Sequence, residues 1–131
     1  MKKVRGYIFS RSFMGERAPQ HVQNIIIRDF CKKNSLDYQL SSSEYKMKGS
    51  FLILKDIVAN MKKIDGIVAY SLLQLPSNYN ERNKILTTII KKKKFISFAV
   101  EQKTISNSKE INNVNSILKI KETLFSTPKK V

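Results

Sequence analysis

The sequence predicts a single α/β domain with a mainly parallel, four-stranded sheet and helices on both faces, a three-layer architecture. Three observations predict it. Short β-branched or aromatic runs alternate with segments of helical period, the connections between them are brief, and Ile67-Val68-Ala69-Tyr70 is apolar on both faces, as a buried central strand must be.

Val4 to Ser10 reads as the first strand: Tyr7, Ile8 and Phe9 suit a pleated surface, and Gly6 permits close backbone packing. A polar loop from Ser10 to Ala18 follows, and Pro19 fits the opening turn of a helix that runs to about Asn34. At roughly 100° per residue, Val22, Ile25, Ile26 and Phe30 share an apolar face, while His21, Asn24 and Arg28 form a polar stripe. Leu36 to Leu40 is a short second strand, closed by Ser41-Ser42-Ser43-Glu44-Tyr45. Ser50 is placed to cap a helix from Phe51 to about Lys63, with Leu54, Ile57, Val58 and Met61 at helical spacing. Asp65-Gly66 turns into the central strand, and Leu72 to Tyr79 is a loop containing Pro76. A third helix over about Asn80 to Lys92 precedes a strand from Phe95 to Val100. Glu101 to Asn107 reads as a linker, and Glu110 to about Phe125 as a last helix.

With 131 residues, the chain is expected to form one domain over 1–125 and a frayed tail over 126–131. One cysteine and one histidine exclude an internal disulfide and a conventional structural zinc site, so neither metal nor cofactor is expected. No apolar run approaches the roughly 20 residues of a membrane span, and no signal-like stretch precedes the first strand, which points to the cytoplasm with no membrane partner. The 25 Lys+Arg against 10 Asp+Glu give a net charge of +15, enough to attract polyanions. Most of that charge is Lys. Only Arg5, Arg11, Arg17, Arg28 and Arg82 are the residue suited to bidentate phosphate recognition, so the excess reads first as a solvated surface and argues against specific nucleic-acid binding.

In open sheets of this kind ligands bind beyond the carboxyl ends of the strands, where strand order reverses. Ser10 to Arg17, Ser41 to Tyr45, Tyr70 to Gln74 and Glu101 to Lys103 should converge there. Arg11 and Arg17 flank a helix start whose free amides favour an anion, or else line an ordinary polar loop. His21, in the first helical turn, is either a general acid or base or a surface histidine. Ser10 becomes a nucleophile only with a base in reach, for which Glu44 and Glu101 are the foremost of the strand-end candidates Glu44, Tyr45, Tyr70, Ser71 and Glu101; it otherwise positions a ligand. Gln20, Asn24, Arg28, Glu44, Tyr45 and Ser71 complete the candidate ligand-binding set, with Glu44 and Glu101 alternatively pairing the arginines. Cys31 reads as a core thiol and Lys91-Lys92-Lys93-Lys94 as a complement to a helix C-terminus.

Two resemblances bear on function. Arg5-Gly6-Tyr7-Ile8, Ser10-Arg11-Ser12-Phe13-Met14-Gly15, Pro19-Gln20-His21-Val22-Gln23-Asn24, Ile27-Arg28-Asp29-Phe30-Cys31 and Asp65 to Ser71 resemble the sporadic carbohydrate cluster proteins. This implies a genomic setting that builds surface carbohydrates such as lipopolysaccharide sugars, and no defined reaction. More distantly, Gly6-Tyr7 through Ser10, Asp65 to Pro76 and Lys94 to Glu101 are similar to strands of the serine recombinase (resolvase) catalytic domain. That likeness implies a resolvase-like or flavodoxin-like arrangement of the three layers. The chain departs from the recombinase pattern at its chemistry. Tyr7-Ile8-Phe9-Ser10 lacks the arginine of Tyr-x-Arg-x-Ser, and Leu73-Gln74-Leu75-Pro76-Ser77 stands where that family carries Asp-Arg-Leu-Gly-Arg.

The resulting expectation is an accessory protein or small enzyme of surface-carbohydrate biosynthesis, binding an anionic sugar or nucleotide sugar and pairing with enzymes of the same pathway. The alternative is a serine-recombinase-like nucleic-acid-binding module without the full recombinase catalytic set. Oligomeric state is left open by the sequence.

Overall fold

The computed structural model describes residues 1–11 and 18–126. Arg17 and residues 127–131 of the expected tail lie outside that range. The elements run β1 (Lys2–Ile8), α1 (Gln20–Lys33), β2 (Leu36–Ser43), α2 (Leu52–Ala59), β3 (Gly66–Ala69), a 3-10 turn (Leu72–Gln74), α3 (Tyr79–Lys91), β4 (Phe95–Phe98), β5 (Lys103–Ile105) and α4 (Ser108–Ser126).

The sheet has five strands in the order β2-β1-β3-β4-β5, not four. The first four are parallel, as expected, and β5 joins antiparallel to β4 with Ile96 opposite Ile105 and Phe98 opposite Lys103. The fifth strand occupies part of the segment expected to be a linker. A turn with Gln102 at φ 53° reverses the chain, the Ser97 and Thr104 hydroxyls bond at 2.7 Å, and Ile105 enters the core. Three residues with one buried side chain show no alternation by which a strand is recognised.

Helices lie on both faces. On one, α1 packs Ile27, Phe30 and Cys31 against Val4, Ile8, Val68 and Phe95. On the other, α2, α3 and α4 bring Leu54, Ile57, Leu86, Ile89, Val114 and Leu118 onto Tyr7, Ile67, Ile96 and Phe98. The inward face of α1 is rotated from the expected one. Gln23, Ile27, Phe30 and Cys31 are its buried residues, whereas Ile25 is 62% exposed. Spacings of four, three and one define this stripe as well as the alternative, and a buried glutamine near its start is the departure from an apolar pattern. α2 starts at Leu52 without a side-chain cap; Ser50 turns its hydroxyl to Glu44 instead.

Among the described residues, no helix is long and apolar enough to cross a membrane.

Candidate functional site

The carboxyl ends of β1, β2, β3 and β4 deliver Ser10, Glu44, Ser71 and Glu101 to one edge of the sheet, as the parallel topology requires. Their side chains form two bonded clusters with a glutamine bridge between them.

The first cluster joins β1, β2 and the start of α2. Glu44 is 2% exposed and its carboxylate accepts from the Tyr7 hydroxyl (2.8 Å), the Ser50 hydroxyl (3.3 Å) and the amides of Tyr45, Ile53 and Leu54 (3.0, 3.2 and 3.2 Å). The last two are amides at the start of α2, so the charge answers free N–H groups and the positive end of the helix. Burial, and then the bond to Glu44 and the charge of that carboxylate, push the Tyr7 phenol far above its ordinary range, while the Arg11 guanidinium pulls it the other way. Arg11 donates to the carbonyls of Tyr45 (2.6 Å), Met47 (3.0 Å) and Ser50 (2.8 Å) and lies over the rings of Phe9 and Phe51. It thus ties down the 45–50 segment. Ser10 is exposed, and its hydroxyl donates to the Glu44 carbonyl at 3.4 Å. That oxygen is a main-chain acceptor and a poor base.

The second cluster closes β3 against β4. Ser71, 3% exposed, donates to Glu101 at 2.8 Å and accepts from the Leu73 amide at 3.1 Å. Glu101 also accepts from the Leu72 amide at 2.9 Å. Gln74 completes a capping box, receiving the amides of Tyr70 and Ser71 (3.1 and 3.4 Å).

Gln23 joins the two clusters. Its amide pairs with both backbone groups of Phe9, accepting at 2.9 Å and donating at 2.8 Å, much as a neighbouring strand would. It also donates to the Ala18 carbonyl (2.8 Å) and accepts from the Gln74 amide (2.8 Å). Strand order reverses between β1 and β3, so this crevice is where a ligand of an open α/β sheet would enter. Here two buried glutamine side chains are bonded to each other across it. Neither was a candidate from the sequence. The available signal was Gln23 in register with Ile27 and Phe30 on a helix face that is otherwise apolar.

The remaining candidates are spread around the rim. Gln20 donates to the Ser43 hydroxyl at 2.6 Å, His21 is exposed, and Tyr45 is 53% exposed with its backbone held by Glu44 and Arg11. Arg28 is exposed and lies over the Tyr38 ring at 5.2 Å. Asn24 is half-buried, and its Oδ1 has no hydrogen-bond partner among the described residues. A cavity of about 360 Å³ borders the first cluster at Ser42, Ser43 and Ile53, and others open farther away. One of about 490 Å³ lies between α2 and α3 around Val58 and Ile85, and another of about 490 Å³ lies by Phe30, Leu36 and Phe95 at the opposite edge of the sheet.

No family model matches the chain, and no curated protein matches it. The expected kinship with sporadic carbohydrate cluster proteins, and the sugar-biosynthesis reading built on it, therefore have no support. Solved structures do resemble it. The N-terminal catalytic domain of TP901-1 integrase superposes with a TM-score of 0.63 at 15% identity, covering 92% of this chain and 95% of that one. A resolvase family site-specific recombinase from Streptococcus pneumoniae gives 0.61 at 11% identity, covering 92% and 89%. At such identities the likeness establishes the fold, and the fold of this chain is that of the serine recombinase catalytic domain.

Proposed function

We propose that this chain is a nucleic-acid-binding module built on the serine recombinase fold without the full recombinase catalytic set. The observation that carries this reading is the segment after β3. Where recombinases place Asp-Arg-Leu-Gly-Arg, Leu73 and Leu75 are buried in the core, and the Gln74 amide is 1% exposed and bonded to Gln23. A segment turned inward in this way has no cation to set against a transferring phosphate. Ser10, with a backbone carbonyl as its hydroxyl partner, likewise has no general base against it among the described residues. The shared fold and the net charge of +15 support retained affinity for a polyanion.

Titration of the protein with fluorescent duplex DNA between about 50 and 200 mM salt tests both halves. Several phosphate contacts require log K to fall steeply and linearly with log salt. We expect such a slope, and no covalent protein–DNA adduct on a denaturing gel. Binding no stronger than that of a lysine-rich protein of equal net charge defeats the reading, and an accumulating adduct defeats its second half.

A further inference from the structure

We propose that a nucleic-acid duplex docks through its phosphate backbone on the edge where the parallel strands begin, opposite the edge that carries Ser10, Glu44, Ser71 and Glu101. The proposal rests on the nucleic-acid-binding reading and gives it a location.

Lysines recur at intervals of 30 residues, at Lys2, Lys32, Lys62 and Lys92, and each has a lysine beside it. Since each βα unit is about that long, the fold brings these pairs to one edge. Lys32-Lys33 end α1 ahead of β2, Lys2-Lys3 begin β1, Lys62-Lys63 precede β3, and Lys91 to Lys94 precede β4. Strand order β2-β1-β3-β4 makes them neighbours in space. With strands about 4.8 Å apart, four strand starts span about 14 Å, a length over which duplex DNA presents about eight phosphate charges.

Helix capping explains only part of this set. Lysines complement the macrodipole within the last turn, which covers Lys32, Lys33 and Lys91. The last turn of α2 has no basic residue, Lys62 and Lys63 lie beyond it, and Lys2 and Lys3 are on a strand. Four acids stand nearby and leave the excess in place; one of them, Glu110, accepts from the Ser106 amide and hydroxyl at 3.1 Å each. Asp29 pairs with Lys33 at 2.9 Å, Asp65 accepts the Lys3 amide at 2.8 Å, and Asp37 lies opposite Lys3 in the sheet. Lys92 donates to the Val58 carbonyl, and the others are exposed except for the half-buried Lys94.

The composition of the edge selects the partner. It has no arginine, so it offers point charges for phosphates and no planar fork for base edges. Binding there is independent of sequence. Stable anchoring to a membrane takes an apolar contribution besides charge, and among the described residues Met1 is the large exposed apolar side chain that lies at this edge.

The test compares two sets of exposed lysines with equal loss of charge: K32Q/K62Q/K63Q/K91Q at the edge and K46Q/K48Q/K103Q/K119Q elsewhere, with thermal melts to verify folding. The edge set should lose at least about tenfold in duplex affinity at about 100 mM salt. Its salt slope should flatten by about 0.9 for each lysine that meets a phosphate. The control set should stay within about twofold of the parent, and K32R/K62R/K63R/K91R should bind like it. Equal losses in both sets, or an edge variant that binds unchanged, overturn this location and leave the nucleic-acid reading standing. A parent protein that binds no duplex overturns both. Tighter binding to phosphatidylserine vesicles than to duplex overturns the choice of partner.

Discussion

Glu44 and Cys31 show how the interior handles two groups of different polarity. Glu44 is a buried acid near the end of the sheet, and five donors surround it where a solvent-facing ligand residue would have few. Deleting the shared carboxylate leaves all five donors without this acceptor, at about 1–3 kcal/mol for each that stays buried and unsatisfied. Cys31 is 1% exposed in the layer between α1 and the sheet, where burial pushes its thiol up to about 11. An unfolded thiol ionises near about 8.5, so above that pH the unfolded chain holds fewer protons than the native one. Stability must then fall as pH rises toward the native value. We expect the parent to lose roughly 2 kcal/mol relative to Cys31→Val between about pH 8 and pH 10.5 in urea unfolding. Comparison with this variant cancels Tyr7, whose shift has the same sign. A pH-independent difference between the two proteins would show that the thiol is not held neutral by burial.

Among the elements, the bond between Gln23 and Gln74 connects α1 to the 3-10 turn over a sequence separation of 51 residues. Each glutamine also closes local backbone groups, so single substitutions by leucine should each destabilise the protein by more than the shared bond does. In a double-mutant cycle of Gln23→Leu and Gln74→Leu, the coupling energy should be about 0.5–1.5 kcal/mol, the worth of one hydrogen bond between neutral groups. A coupling near zero would mean that the two elements are held by packing alone. This bridge marks the limit of what was legible in the sequence. β1, β3 and β4 announce themselves through aromatic and β-branched runs, the helices through their periodicity, and the convergence of four segments at one edge follows from parallel order. The antiparallel β5 and the rotation of α1 did not show, because one strand is too short to alternate and two helix faces were nearly equally apolar. The roles at the edge were hidden for another reason. The partners of Arg11, Glu44 and Glu101 are mostly main-chain carbonyls and amides, which every residue carries and no motif records.

For the molecule as a whole, charge works against the fold that carries it. With a net charge of +15, ion pairs such as Lys33 with Asp29 and Lys55 with Glu81 leave most of the 25 cations without an acid to match them, since the chain has 10 acids. Glu44 and Glu101 are bonded to hydroxyls and backbone amides, so they do little to offset the lysines one by one. The strand-start edge gathers the densest part of the excess, and compaction brings those charges closer than they are in the unfolded chain. Repulsion of this kind is screened once the Debye length shrinks, from about 30 Å at 0.01 M salt to about 10 Å at 0.1 M. The fold and its proposed ligand should therefore answer salt with opposite sign. Raising sodium chloride from about 10 to 300 mM is expected to lift the melting temperature by several degrees, since about 1 kcal/mol moves a domain of this size by roughly 3–5 °C. Over the same range duplex affinity should collapse. K32Q/K62Q/K63Q/K91Q should melt higher than the parent at low salt and gain less from added salt, because part of the repulsion is already gone. A melting temperature that is flat or falling with salt, or an edge variant that gains as much as the parent, would show that the lysines are spaced widely enough to ignore one another.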